Sequence, residues 1–417
     1  MDLDAFDELL TPRGQRALAE AVELVGTDPV AAATRLRKTY DAALTSAALT
    51  QAGLRERARA KFGEDAGRMY FTPHGLEQST RTEVAEHRAR RLTAGTQADA
   101  PPHELGVADA PLHGPDVPPR GLRRGLRVVD ACCGVGGDFL ALARAGCTVA
   151  AVDTDPLTVA VARANADALG LADRVTVSVG DAAEVRPEEY DVLFADPARR
   201  TSRGRTFDPI AYSPPWPVVL DLVARASRAC VKVAPGIPYE FIPGGAEAEW
   251  VSYKGEVKEA ALWTGQEGAG RRATLLPGGH TLTATGAEAA VGPVGRYVYE
   301  PDGAAIRAHL VGEVSEIVNG RLLDPMIAYI TGDDPIDTPW AARYEVEDVL
   351  PFSGKKLRAA LRERQVGNVT IKKRASAVDI ERLRSDLRLN GEKSATIILT
   401  RIIDKPSVII CDTSPPA

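Results

Sequence analysis

The sequence predicts an α/β protein: a sheet of parallel strands with helices on both faces, preceded by a helical domain and followed by a small α+β module. Three observations predict it. From about residue 121, short apolar runs alternate with helix-compatible segments, the pattern of βαβ units. Residues 1–93 are rich in alanine, leucine, arginine and glutamate, with apolar residues at helical spacing. Beyond residue 343, strand and helix patterns follow one another at short range. With 417 residues, the chain exceeds the roughly 100–200 that one core usually holds, so two or three domains are expected.

In the helical region, Leu18, Val22 and Val25 mark an apolar stripe. Gly26-Thr27-Asp28-Pro29 reads as a turn that opens a new helix. Thr80-Arg81-Thr82-Glu83 has the form of a capping box before a last helix that carries Arg88, Arg90 and Arg91. The segment Phe71–Glu77 reads as a loop before a capped helix, the alternative being a cover for an active-site mouth. His74 has no ligand partner nearby in sequence, which favours a structural role. Residues 94–120, crowded with Pro, Gly, Ala and Asp, form a linker.

The central domain, residues 121–292, holds the runs RVVDA, CTVAAVD, RVTVSVG, YDVLFAD and ACVKVAP as five strands. EWVSYKG and EAALW follow as an antiparallel pair at the sheet edge, and 268–292 shows no clear element. Residues 293–417 form the α+β module. Its clearest part runs YEVEDVL (strand), GKKLRAALRERQ (helix), NVTIKKR (strand), AVDIERLRSDLR (helix), ATIILTRI and SVIICD (strands).

Composition narrows the function classes. An apolar share of 44% and a charged share of 26% are those of a soluble globular chain. A net charge of −6 excludes a polybasic nucleic-acid binder but not a local basic patch. No apolar run reaches the roughly 18 residues of a membrane span. The start MDLDAFDELL has no signal-peptide pattern, so the expected location is cytoplasmic with no membrane partner. The five cysteines show no C-x-x-C spacing, no metal is expected, and they read as small buried hydrophobes in a reducing compartment. The oligomeric state is not legible.

The strongest signal is VVDACCGVGGD, Val128–Asp138. A strand ends at Asp130, Gly134, Gly136 and Gly137 follow, and a helix begins. Such glycines let the backbone turn and approach a ligand. A dinucleotide loop would place a third glycine where Phe139 stands. The next strands end at or just before Asp153, Asp181 and Asp196-Pro197. Four acids at the carboxyl edge of successive strands suit a nucleoside ligand that carries an amine, and the helix start suits its carboxylate.

These residues resemble class I S-adenosylmethionine-dependent methyltransferases with a Rossmann-like sheet. VVDACCGVGGD with VAAVDTDPLTVAVARANADALGLADRVTVSVGDA is similar to the trimethylguanosine synthase group of RNA cap methyltransferases. The resemblance implies S-adenosyl-L-methionine as cofactor. Asp130, Gly134 and Gly136 would hold its methionine part, Asp153 the ribose, and Asp181 with Ala182 the adenine. Cys132, Thr154 and Asp196 complete the expected cofactor set.

The acceptor motif departs from that family. Amine methyltransferases usually carry Asn/Asp/Ser-Pro-Pro-aromatic at the fourth strand, whereas this chain has Asp196-Pro197-Ala198-Arg199-Arg200. The missing second proline and aromatic argue against base-amine methylation. Ser213-Pro214-Pro215-Trp216 has the right letters but sits where a helix opens; Tyr212 or Trp216 lining a substrate mouth is the alternative. The fourth-strand motif also resembles that of RNA uridine-C5 methyltransferases. Their nucleophilic cysteine is missing, since Pro235 stands near the expected place and Cys230 precedes the strand VKVAPG and reads as buried. Asp196, Pro197 and Arg199 are the expected catalytic residues, with Asp196 orienting or deprotonating the acceptor. Arg199 and Arg200 suit phosphate contacts, while Arg203 and Arg205 suit either that or a solvated loop.

In the last module Lys355, Lys356, Arg358, Arg362, Arg364, Lys372, Lys373 and Arg374 form a basic cluster. It reads either as a solvated helix face or as a phosphate-tracking surface. The arrangement resembles the THUMP-like module of some bacterial methyltransferases, which implies RNA as partner, docked by Lys355, Lys356, Lys372 and Lys373. The leading expectation is an RNA methyltransferase. A protein or small-molecule methyltransferase, and a silent nucleic-acid-binding scaffold, are the alternatives.

Overall fold

The structure is a computed structural model that describes residues 1–94, 125–198, 208–265 and 268–412, together with the backbone of 200–201 and 204–205. The expected linker therefore lies almost wholly outside the described residues. So do Arg199, Arg203 and the side chains of Arg200 and Arg205. The chain divides into two compact units, Met1–Ala246 with Leu262–Glu267, and Glu247–Ala261 with Gly268–Ala417.

The first unit opens with helices α1 (Leu3–Leu10), α2 (Pro12–Glu23), α3 (Pro29–Leu36) and α4 (Ala42–Phe62). Each is started by a side chain that accepts from a backbone N–H of its first turn: Asp2, Thr11, Asp28 and Asp41. The expected stripe on α2 is shifted. Leu18 is buried, but Val22 and Val25 are about 40% exposed, and the inner face is Gly14, Ala17, Leu18 and Ala21. Small residues win there because α1 lies close. A Cβ on Gly14 would fall 2.5 Å from the Leu9 backbone.

Two short helices follow, α5 (Pro73–Gln78) and α6 (Thr82–Ala94). The segment before α5 is tied down by two buried amides. Gln51 donates to the Phe71 carbonyl and accepts from its N–H. Asn165 does the same for Tyr70 and also donates to the Val135 carbonyl at 2.8 Å. Backbone that would otherwise be buried and unpaired is thereby satisfied.

The sheet of this unit comprises β1 (Arg127–Asp130), β2 (Thr148–Asp153), β3 (Val175–Val179) and β4 (Val192–Ala195), with α7 (Gly137–Arg144) and α8 (Pro156–Ala168) as crossovers. A two-residue pair, β5 (Arg200–Thr201) and β6 (Gly204–Arg205), is followed by α9 (Trp216–Arg225) and β7 (Ala229–Val233). The order β7-β4-β1-β2-β3 is parallel throughout, as the apolar runs predict. Val129, Leu193, Ala195 and Leu222 lie in the core on one side of it. Because β2 and β4 flank β1 on opposite sides, the chain reverses direction between β1 and β4. Open sheets of this kind bind ligands at that point, beyond the strand carboxyl ends.

The second unit starts with β8 (Glu247–Tyr253) and β9 (Glu256–Thr264), the latter passing into the first unit at Leu262. Lys254 and Gly255, both at positive φ, form the hairpin turn between them. β10 (Gly270–Leu276) runs parallel to β8, and β11 (His280–Thr283) antiparallel to β10, so part of 268–292 is stranded. Next come β12 (Tyr297–Pro301), α10 (Gly303–Arg307), α11 (Val311–Ile317), β13 (Arg321–Asp324) and β14 (Ile327–Gly332). The expected strands and helices of the last module follow as β15 (Ala341–Pro351), α12 (Gly354–Glu363), β16 (Val366–Lys373), α13 (Ile380–Leu387), β17 (Lys393–Ile402) and β18 (Lys405–Cys411). The sheet order is β13-β14-β12-β15-β18-β17-β16. Leu357, Leu361, Leu383 and Leu387 seal α12 and α13 onto it.

Candidate functional site

At the switch point lies a cavity of about 630 Å³, entirely within the first unit. Its floor is the loop after β1. The Ala131 N–H donates to Phe194 and the Cys133 N–H to Val152, which seats the loop between the two neighbouring strands. Gly134 and Gly136 take φ of 53° and 102°, values that side-chain-bearing residues rarely adopt. Gly134 faces the cavity. Gly136 does not line it and acts through its backbone alone, since a Cβ there would meet the Phe139 ring at 2.6 Å. Phe139, at the place of a third glycine, is fully buried.

Asp130, Cys132, Asp153, Thr154, Asp181, Ala182 and Asp196 all line this one cavity, as the sequence places them. Asp130 is fully buried. Its Oδ1 accepts from the Cys132 N–H at 3.2 Å, and its Oδ2 has no partner. Burial above all, and then the charges of Asp196 and Asp153, push its carboxyl up to about 8. Asp153 accepts from Gly134 and Asp155 N–H groups, and burial raises its carboxyl as well. Asp181 accepts from the Ala183 N–H at 2.9 Å. Burial holds the Cys132 thiol well above its ordinary range, hence neutral.

The acceptor end differs from expectation. Asp196 lines the cavity, but Pro197 is buried behind it and does not. Pro197 stiffens the chain leaving β4. Ala198 and Ser213 exchange two backbone hydrogen bonds, and this carries Ser213, Pro214 and Pro215 to the cavity wall. Tyr212 and Trp216 turn inward instead. They stack edge to face at 6.3 Å, and the Tyr212 hydroxyl accepts from the Ala234 N–H. Thr72–Gly75 and Gln78–Thr80 also line the cavity, His74 among them, so this segment is both a capped helix and part of the wall.

Lys232 was not singled out in the sequence. It is buried on β7 and donates to Asp196 Oδ2 at 2.6 Å and to Thr80 Oγ1 at 2.8 Å. Thr80 donates to Asp138, which also pairs with buried Arg88. Thr80 is thus no capping residue. The Arg81 carbonyl accepts the first-turn N–H groups of α6, and the Thr80 hydroxyl is committed elsewhere. The one available signal was a lysine inside the apolar run ACVKVAP.

In the second unit the basic cluster is mostly engaged. Lys372 and Arg374 pair with Glu300, Arg364 with Asp348 and Glu347, and Lys373 donates to the Val378 carbonyl. Lys372 is thus half-buried and paired, while Lys373 is exposed with one bond to a backbone carbonyl. Lys355 and Lys356 are exposed and their side chains have no partner among the described residues.

An orphaned, buried carboxylate oxygen beside further acids calls for a cation, and a glycine-lined backbone leaves room for a compact ligand. Both fit the ammonium and sulfonium of S-adenosylmethionine, and together with the parallel sheet they define an S-adenosylmethionine-dependent methyltransferase of class I. The comparisons agree. The chain is 34% identical over 364 residues, 84% of its own length and 90% of the other's, to an "Uncharacterized S-adenosylmethionine-dependent methyltransferase" of Mycobacterium tuberculosis H37Rv. It belongs to that family of S-adenosylmethionine-dependent methyltransferases. Residues 126–219 match the family model of RNA cap guanine-N2 methyltransferases, 341–413 that of THUMP domain-like modules, and 2–58 a domain of unknown function. A crystal structure of a candidate methyltransferase from Porphyromonas gingivalis W83 superposes with a TM-score of 0.73, covering 96% of this chain and 99% of the other at 21% identity. A shorter match, 36% over 81 residues and 18% of each chain, is to the 23S rRNA (uracil(1939)-C(5))-methyltransferase of Acidithiobacillus ferrooxidans. In this chain Cys230 is fully buried within β7, and among the described residues no cysteine follows that strand closely.

Asp130, Gly134, Asp153 and Asp181 would hold the cofactor, which supplies a methyl group activated on sulfur. Among the described residues no helix is long and apolar enough to cross a membrane.

Proposed function

We propose that this chain methylates RNA in the cytoplasm, with Asp196 orienting an N–H or O–H acceptor in the cavity of the first unit and the C-terminal module helping to dock the substrate. The observation that carries the acceptor reading is the state of Asp196. One oxygen is committed to Lys232, and among the described residues no hydrogen bond reaches the other, in a residue that lines the cavity. A carboxylate so placed accepts a hydrogen bond and aligns the acceptor for in-line transfer, for which reacting atoms must lie about 3–3.5 Å apart. The RNA reading is supported by the family model matched over 126–219, the THUMP domain-like match, and relatives named as RNA methyltransferases. Arg199 and Arg200, next to Asp196 in sequence, would contact phosphates. Lys355 and Lys356 are the docking cations that remain unengaged, and five free cysteines suit a reducing compartment.

The test is transfer of tritiated methyl from S-adenosylmethionine to total RNA and, separately, to total protein, both from a strain lacking the gene. Label is expected in RNA. Label confined to protein would overturn the RNA reading and leave the methyltransferase assignment standing.

A further inference from the structure

Lys232 has no packing reason to be where it is. β7 is buried along its whole length, and Lys232 keeps 3% of its surface. An ammonium inside a sheet is costly unless it is paired and hydrogen-bonded. Its partners belong to a line of groups, buried except for Asp196, from four elements and one loop. Arg88 on α6 pairs with Asp138 on α7, Asp138 accepts from Thr80 at 2.6 Å, Thr80 accepts from Lys232, and Lys232 holds Asp196 at the end of β4. The charges alternate and sum to zero. Thr80 has a single hydroxyl proton, spent on Asp138, so only its lone pairs face Lys232 and the direction of every bond is fixed. Arg88 also lies 5.0 Å over the ring of Phe194, two residues before Asp196. Close contact keeps the line together, since a Cβ on Gly137 would come within 3.2 Å of the Thr80 backbone.

We propose that Lys232, held by Thr80, Asp138 and Arg88, is the positioning residue that sets Asp196 for the acceptor, which makes the N-terminal helical segment a working part of the methyl-transfer site. This rests on the reading of Asp196 given above. A carboxylate at a strand end rotates about its last side-chain bond. Pinning one oxygen fixes where the other points. Transfer is sensitive to such placement, a displacement of about 1 Å costing up to about a hundredfold in rate. Lys232 does not line the cavity, so it acts through Asp196, and the proposal moves no proton along the line.

The test uses the full-length protein and tritiated S-adenosylmethionine. The acceptor is an unfractionated extract of a strain lacking the gene, containing both RNA and protein, so the acceptor class need not be known. Asp196→Asn, Lys232→Met and the double variant are compared, with cofactor affinity measured by calorimetry. Lys232→Met is expected to lower the saturated rate about 10–100-fold with cofactor affinity nearly unchanged. The double variant should lose no more than Asp196→Asn alone, because the lysine works through the carboxylate. Thr80→Val should reproduce part of the loss and Thr80→Ser restore it; this pair reads the same coupling if Lys232→Met does not fold. An undiminished rate in Lys232→Met, or losses that multiply in the double variant, would overturn the proposal. Wild-type rate in Asp196→Asn would overturn the Asp196 reading and the proposal with it, and that single variant tells the two failures apart.

Discussion

The two ends of the cavity use the same side chain in opposite ways. At the cofactor end, Asp130, Asp153 and Asp181 meet only backbone N–H groups; no lysine or arginine makes a hydrogen bond to them among the described residues. At the acceptor end, Asp196 is clamped by a buried ammonium. The difference teaches which charges each ligand brings. A cofactor that carries an ammonium and a sulfonium supplies its own cations, so the protein gives these acids no lysine or arginine partner, and burial keeps a proton on Asp130 up to about pH 8. On the reading proposed above, an N–H or O–H acceptor brings no cation of its own, and the cation beside Asp196 is Lys232.

The sharpest way to break this comparison is at Asp130. The folded protein holds a proton on it between about pH 4 and 8 that the unfolded chain has released, given an unfolded value near 4. Its contribution to stability is therefore fullest below about pH 4 and falls as pH rises towards 8. Asp130→Asn is expected to raise the melting temperature of the cofactor-free protein at pH 8, by about 1–3 kcal/mol of stability. It should also weaken cofactor binding about a hundredfold or more, because the ammonium loses its partner. Wild-type affinity should rise with pH from 6 to 8, by at most about tenfold per unit, with proton release on binding. The Asn variant should show neither. Calorimetry in buffers of different ionisation enthalpy reads all three. Tight, pH-independent binding by the variant would mean that the orphan oxygen has no cationic partner.

The cofactor end was legible because its parts are local. A strand and a glycine turn open the pattern, further strands end in acids between Asp130 and Asp181, and the parallel sheet brings the strand ends together without further instruction. The acceptor end was not, because its parts are remote. Lys232 and Thr80 are separated by 152 positions, and no period or spacing relates them. Local grammar also misled there. Thr80-Arg81-Thr82-Glu83 spells a capping box, but a buried carboxylate and a buried ammonium compete for the hydroxyl and win. The same holds for Lys372, whose pairing with Glu300 depends on a sheet order that sequence does not show.

A smaller effect is expected where the mouth meets the glycine loop. A Cβ on Gly75 would lie 2.3 Å from Val135 Cγ1 and 2.8 Å from Thr72 Oγ1. Gly75→Ala should push α5 off the loop and cost about 1–3 kcal/mol, seen as a lower melting temperature together with weaker cofactor binding. Gly53→Ala, inside α4 with open space around its Cβ, should instead stabilise by up to about 1 kcal/mol and leave binding unchanged. If both variants behaved alike, the close approach of α5 to the loop would have no bearing on the cofactor end.

The mildest expectation concerns the second unit, where engaged and unengaged cations stand side by side in sequence. Replacing Lys355 and Lys356 by glutamine should weaken binding to RNA a few-fold at low salt. It should also flatten the slope of log affinity against log salt by about 1.5, if both meet phosphates of a single strand. Lys372→Gln removes a partner of Glu300 instead, so it should lower the melting temperature and leave the salt slope as it was. Filter binding of total RNA between about 50 and 200 mM salt separates the two classes. A slope that responds to Lys372 but not to Lys355 and Lys356 would place the phosphate contacts on the sheet rather than on α12. The pairing with Glu300 would then have to open for RNA to bind.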